Sequence, residues 1–240
     1  MSLPKIEYPI YEIYLKSLDR KVKFRPFLVK EEKILLMAKE AKDEETVKLA
    51  INQVINNCAV EPIDVGSLPL FDIEMLFVKL RSKSVGETVK LIFTCKNEVD
   101  GQVCNTENDY TLNLENVKYV VPERHDSRIM INDKLGIKLK YPTLNQKLDF
   151  IGDEDEYTAT LAILLSNIEY IFDSESIHRP EDTSKEEIRE FIENLTIETM
   201  DKIGEFFRTS PKVVLTDIVK CKKCGFEHTL VTEDLLSFFL

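Results

Sequence analysis

Lys220-Cys221-Lys222-Lys223-Cys224-Gly225-Phe226-Glu227-His228 is the stretch from which the rest of the chain is read. Two cysteines two residues apart, followed by glycine, form a knuckle. The tight turn aims both thiolates into one tetrahedral site, and the glycine lets the chain bend back. Strand-like runs flank it, Val213-Val214-Leu215 through Ile218-Val219 before and Thr229-Leu230-Val231 after, so the stretch reads as a hairpin tip. A knuckle supplies two ligands, whereas a closed structural zinc site takes four.

Cys95 and Cys104 form the other close pair, with eight residues between them. Val89–Cys95 and Tyr110–Leu114 read as strands around a loop through Asp100-Gly101, which makes a second hairpin. The expectation is one zinc site built from Cys95, Cys104, Cys221 and Cys224, with His228 able to replace one cysteine. The Cys221/Cys224 half carries the more specific spacing, because eight intervening residues are wider than a standard knuckle. The same four residues also read as reduced thiols without metal.

The chain has 240 residues, enough for one large domain or two ordinary ones, and 43% of them are hydrophobic, so a substantial core is available. A net charge of −11 argues against a nucleic-acid-binding surface, which needs clustered Lys and Arg. No run approaches the length of apolar sequence that spans a bilayer, and Met1–Glu7 lacks the apolar core of a signal peptide. Five cysteines, an odd number, fit a reducing compartment better than a disulfide framework. The expectation is a protein made in a cytoplasm that stays soluble or joins an assembly, with no nucleic-acid and no membrane partner.

Tyr8–Leu15 alternates, Ser17-Leu18-Asp19-Arg20 turns, and Val22 and Phe24 resume the alternation up to Pro26. Helices are expected over 30–41, 44–58 and about 70–82; the second places Val47, Ala50, Ile51, Val54, Ile55 and Cys58 on one face. After the first cysteine hairpin and a charged connector at 123–126, the pattern restarts. Ile129–Ile131 and Ile137–Tyr141 lead to Pro142, and helices are expected over about 156–172, from 184 to about 195, and over 197–208. Thr183 with Glu186 and Ser184 with Glu187 each carry a capping-box signature. The second cysteine hairpin follows.

The same order of parts therefore occurs twice: two strands ending at a proline, helices, then a hairpin with paired cysteines. The fold class read from this is α+β, in two similar halves, 1–121 and 122–240, joined by a zinc-ribbon-like site.

Features of catalysis are sparse. The seven glycines form no phosphate-binding loop, and there is no nucleophile elbow or paired-histidine motif. His125, His178 and His228 are expected to be exposed, and the acidic run Asp153–Glu156 to be a solvated helix start. Cys58, on an apolar helix face, reads as a small buried hydrophobe rather than a nucleophile. The apolar end Leu235–Leu240 docks on its own core or inserts into a neighbour, which makes Phe238, Phe239 and Leu240 candidate partner-binding residues.

Lys23-Phe24-Arg25-Pro26-Phe27-Leu28-Val29-Lys30-Glu31-Glu32 through Ala38 is the most distinctive run, followed by Asn57-Cys58, Leu68–Glu74 and Leu80–Glu87. Together these stretches resemble the baseplate hub subunit family of T-even-type contractile-tail bacteriophages, most strongly over about residues 20–120. The resemblance implies a structural role in the virion tail baseplate, other baseplate and tail proteins as partners, and no catalysis. It supplies neither catalytic residues nor the zinc, which rests on spacing alone. The alternatives are a hub assembly factor absent from the mature virion, a zinc-ribbon nucleic-acid adaptor, and a thiol-dependent enzyme using Cys58.

Overall fold

A computed structural model describes residues 4, 6–41, 43–144 and 156–233. The N-terminal hairpin pairs β1 (Tyr11–Leu15) with β2 (Arg20–Phe24) in antiparallel register. Its alternation buries Ile13, Leu15, Val22 and Phe24 on one face. Helix α1 (Val29–Ala41) and helix α2 (Glu44–Cys58) follow; Asp43 caps α2 by accepting from the Thr46 N–H. The apolar stripe of α2 is buried as its periodicity requires, from Ala50 through Cys58. In α1, Ala38 is buried and Met37 is exposed. The chain leaving α2 returns to the edge of β2, where the Arg25 N–H donates to the Cys58 carbonyl and the Val60 N–H to that of Lys23.

Helix α3 (Leu70–Ser84) buries Phe71, Asp72, Ile73, Met75, Leu76, Phe77, Val78, Leu80 and Ser82. A helix buried on most sides belongs to the core, and α3 touches β1, α2, the 3-10 turn at 114–116 and, further along the chain, residues 212–220. Its buried charge is fully partnered. Asp72 accepts from the backbone N–H groups of Lys16 and Ser17 at 3.0 Å each and from the Tyr119 hydroxyl, which ties the turn of the first hairpin to the helix. A second buried carboxylate, Glu31, takes two bonds from the Arg25 guanidinium, at 3.1 and 3.3 Å, and one from the Leu28 N–H at 2.9 Å. Arg25 also donates to the carbonyls of Pro26 and Asn57. The run Phe24–Glu32 is thus a locked corner between β2, α1 and α2.

The first cysteine hairpin pairs β3 (Thr88–Thr94) with a later strand, and its tip pairs β4 (Glu98–Val99) with β5 (Gln102–Val103) around Asp100-Gly101. Both turn residues have positive φ, 52° and 75°, which is why Asp-Gly stands there. The returning strand is β6 (Glu107–Asn113), and β7 (Lys118–Val120) follows.

Residues 121–211 form a separate compact unit. Its strands β8 (Arg128–Met130), β9 (Gly136–Leu139), β10 (Ile168–Phe172) and β11 (Ile177–His178) make an antiparallel sheet in the order β11-β10-β9-β8. Its helices are α4 (Glu156–Asn167), α5 (Lys185–Glu193) and α6 (Ile197–Arg208). Ile129, Ile137, Leu139, Ile168 and Ile171 from the sheet share one core with Leu161, Leu164, Ile188, Ile192, Ile203 and Phe206 from the helices. Ser184 and Glu187 form the expected capping box of α5. The helix expected over 156–172 stops at Asn167, because Ile168-Glu169-Tyr170-Ile171-Phe172 is β-branched and aromatic and pairs with β9 instead. Gly136 makes that packing possible, since the Phe172 ring lies where a β-carbon would sit.

The chain then returns to the first unit through β12 (Lys212–Lys220) and β13 (Glu227–Thr232), with β12 pairing to β7 at Lys212↔Val120. Among the described residues, contacts group those up to Val120 with those from Lys212 on and set Val121–Pro211 apart. The cause is β12, whose Val213, Val214 and Leu215 are buried and which meets β7 and α3. No helix among the described residues is long and apolar enough to cross a membrane.

Candidate metal centre

Each half of the site is built by a hairpin that opens at its cysteines. In the first, the β3–β6 ladder ends at Thr94↔Glu107, after which the Cys95 N–H donates to the Thr106 carbonyl and the Cys104 N–H to that of Asn97. Asn105, at φ 48°, interrupts the regular pairing between them. The extra residues that make this pair too wide for a knuckle are the small tip β4–β5. In the second, Gly225 at φ 74° closes the turn, and Cys221 exchanges bonds with Phe226 and Gly225 across it.

These tips bring the four expected cysteines together. All four Sγ atoms lie within 4.8 Å of one another, with Cys95–Cys224 at 3.7 Å and Cys104–Cys221 at 3.8 Å. A tetrahedral ion with bonds of about 2.3 Å to sulfur needs sulfurs about 3.8 Å apart, so the spacing fits that ion. It does not fit disulfides, whose sulfurs are about 2.05 Å apart, and all five cysteines are free thiols. Each hairpin gives one buried sulfur, Cys95 or Cys221, and one half-buried sulfur, Cys104 or Cys224.

The electrostatics separate the four. Burial pushes the Cys95 thiol up to about 12. The backbone N–H of Cys224, joined by that of Lys223, brings Cys221 down to about 6. The Thr106 hydroxyl lowers Cys104. Four sulfurs this close cannot all ionise without a cation among them, because each thiolate opposes the next. A soft divalent cation removes that opposition, and Cys95, Cys104, Cys221 and Cys224 are the residues that would hold it.

His228 does not belong to the sulfur cluster. Its Nε2 lies 3.1 Å from Cys95 Sγ, and its ring sits between Phe93 and Phe226 with centroids 4.7 Å away on each side. It is half-buried rather than exposed. His125, also expected at the surface, is half-buried and stacked on Tyr141 and Phe206, with both ring nitrogens engaged by Thr209 and Tyr141. His178 is exposed. Asp173 and Ser176 both approach the same nitrogen of His178, at 3.2 and 3.1 Å, so these three residues cannot pass a proton through the ring as a nucleophilic triad does.

Cys58 lies far along the sequence from both hairpins, fully buried, with its thiol pushed up by burial to about 11. That favours the inert thiol over the thiolate of a nucleophile. The candidate partner-binding residues Phe238, Phe239 and Leu240 lie outside the described residues, as does the acidic run up to Asp155. Sequence reasoning missed the polar side chains around the sulfurs, Asn97, Thr106 and Asn108, because no spacing rule marks them.

A family model described as T4 bacteriophage base plate protein matches residues 8–240. No curated protein and no solved structure matches the chain.

Proposed function

This chain belongs to the T4 bacteriophage base plate protein family, and on that premise we propose that it is a non-catalytic subunit of the hub region of a contractile tail baseplate. It is made in the host cytoplasm and works through contacts with other baseplate and tail proteins. The observation that carries this reading is the family match, which runs over both compact units and over every element of the metal centre.

The four-cysteine centre serves this role as a structural zinc site. Its spacing fits a closed four-sulfur shell with no position left open for substrate, the arrangement that supports folding rather than hydrolysis. The order of a hairpin, helices and a cysteine hairpin occurs twice (β1–β2, α1–α3 and β3–β6; β8–β9, α4–α6 with β10 and β11 added after α4, and β12–β13) and supports an internal duplication in which the zinc joins equivalent hairpins. Phe238, Phe239 and Leu240 are the residues proposed to reach a neighbouring subunit.

The test is fractionation of infected cells and of purified particles, followed by mass spectrometry. The chain is expected in tail particles and their assembly intermediates, in fixed proportion to other hub proteins. Recovery with intermediates but not with mature particles would make it an assembly factor. Absence from both would overturn the reading.

A further inference from the structure

Each of the four sulfurs has its own polar side chain beside it. The His228 imidazole Nε2 is 3.1 Å from Cys95 Sγ. The Asn108 amide donates to Cys221 Sγ at 3.7 Å and the Asn97 amide to Cys224 Sγ at 3.8 Å. The Thr106 hydroxyl lies 3.2 Å from Cys104 Sγ. Only the Thr106 bond stays near its own cysteine in sequence. The other three cross between the hairpins: Asn97 and Asn108 reach from the first to the second, and His228 reaches from the second to the first.

Two of these groups are fixed by more than the sulfur they face. Asn108 is 3% exposed. Its Oδ1 accepts from the Lys222 N–H at 2.8 Å and its Nδ2 donates to the Thr106 carbonyl at 2.8 Å, which sets the amide so that N–H, not C=O, faces Cys221. The His228 ring packs against Phe93 and Phe226, at interplanar angles of 57° and 65°. The Asn97 and Asn108 amides donate, and the His228 Nε2 and the Thr106 hydroxyl can each offer a proton as well. Donors placed one per sulfur suit sulfurs that carry negative charge, and a divalent cation with four thiolates keeps a net charge of about −2. Burying that charge without donors is costly.

We propose that His228, Asn108, Asn97 and Thr106 form a donor shell around a four-thiolate zinc site, and that His228 acts as a positioning residue for Cys95 rather than as a ligand. The proposal rests on the zinc reading given above. The shell has two effects. It offsets the excess charge of the complex, and it bolts the two hairpins together through three bonds that form only when both tips are in place. Outer-shell groups of this kind typically contribute about 10- to 100-fold to metal affinity.

The experiment uses the full chain, as wild type and as His228→Ala, His228→Gln and Asn97→Ala. Zinc affinity is read by competition with a chromophoric chelator, and the ligand set by the absorption of the cobalt(II)-loaded protein. Wild type is expected to give a four-sulfur cobalt spectrum. His228→Ala keeps that spectrum but loses about 10-fold in zinc affinity, and His228→Gln, which returns an N–H near the same place, recovers most of it. Asn97 is half-exposed, so Asn97→Ala folds in any case and also binds zinc more weakly. Wild-type affinity in both His228→Ala and Asn97→Ala overturns the donor shell while leaving the zinc reading intact. A cobalt spectrum that loses nitrogen character in His228→Ala overturns it as well, since His228 would then be a ligand. A wild-type chain that takes up neither metal overturns the zinc reading and the shell together.

Discussion

Cys95 and Cys224 stand 129 residues apart in the chain, yet their sulfurs lie 3.7 Å from each other. Between them runs the whole separate unit of residues 121–211, which leaves the first unit after β7 and comes back at β12. The cysteine cluster therefore ties two hairpins that the chain itself connects only through that insertion. On the zinc reading proposed above, the four sulfurs act on one ion and their losses are not additive. Cys95→Ser and Cys224→Ser are each expected to destabilise the protein by about 4 kcal/mol, the scale on which metal loss acts. That corresponds to a fall in Tm of roughly 8–16 °C. The double variant is expected to be scarcely worse than either single one. Calorimetry of the four proteins checks this, and simple addition of the two losses would show that the cysteines act separately.

Glu31, in the first unit, is fully buried against Arg25. Burial opposes its ionisation, but the bonds from Arg25 and the Leu28 N–H outweigh that and hold the carboxyl below its ordinary value. Removing one member of such a pair leaves the other uncompensated, at about 3–5 kcal/mol. Arg25→Ala is therefore expected to be more damaging than Arg25→Ala combined with Glu31→Leu. Denaturant unfolding of both variants tests the order.

Acid sensitivity is expected to be centred on Glu115. Burial pushes its carboxyl up, and the bonds from the Ser82 hydroxyl and Lys79 more than reverse this, bringing it to about 2 against an ordinary 4.5. A carboxyl whose folded value is depressed stabilises the fold above its unfolded value and loses that contribution as pH falls towards its folded one. Stability is thus expected to drop between pH 4.5 and 2, and Glu115→Gln to flatten that part of the curve. An unchanged acid limb in the variant would remove Glu115 from the explanation.

In the second unit, Gly136 has no room for a side chain. A β-carbon there would overlap the Phe172 ring and come within 2.8 Å of the Ile129 carbonyl oxygen, which is backbone and cannot swing away. Arg128 covers the same ring at 4.2 Å. Gly136→Ala is expected to cost about 1–3 kcal/mol by overpacking. Combining it with Phe172→Leu, which makes space, should cost less than the sum of the two changes; thermal unfolding of the three variants measures this.

Much of this structure can be read from the sequence, and where it cannot the reason is physical. The periodicity of α2 gives its ends at Glu44 and Cys58, and Asp-Gly at 100–101 gives the turn, because both signals are local. The four sulfurs were legible for a different reason, since a knuckle with two ligands demands two more. What the sequence concealed was settled by tertiary contact. The run Ile168–Phe172 continues an apolar helix pattern and becomes a strand only because β9 offers it an edge. The hairpin 212–232 follows the second unit in the chain but packs with the first, which no local signal reveals. Nor does any motif mark Asn108, whose place beside Cys221 depends on a hairpin 113 residues away.

Elemental analysis of the full chain, purified without chelator, tests the metal centre most directly. One zinc per chain is expected in the wild type, and none when Cys95 and Cys104 are both changed to serine, although Cys221 and Cys224 remain. Zinc kept by that variant, or missing from the wild type, would contradict a single site built from both hairpins.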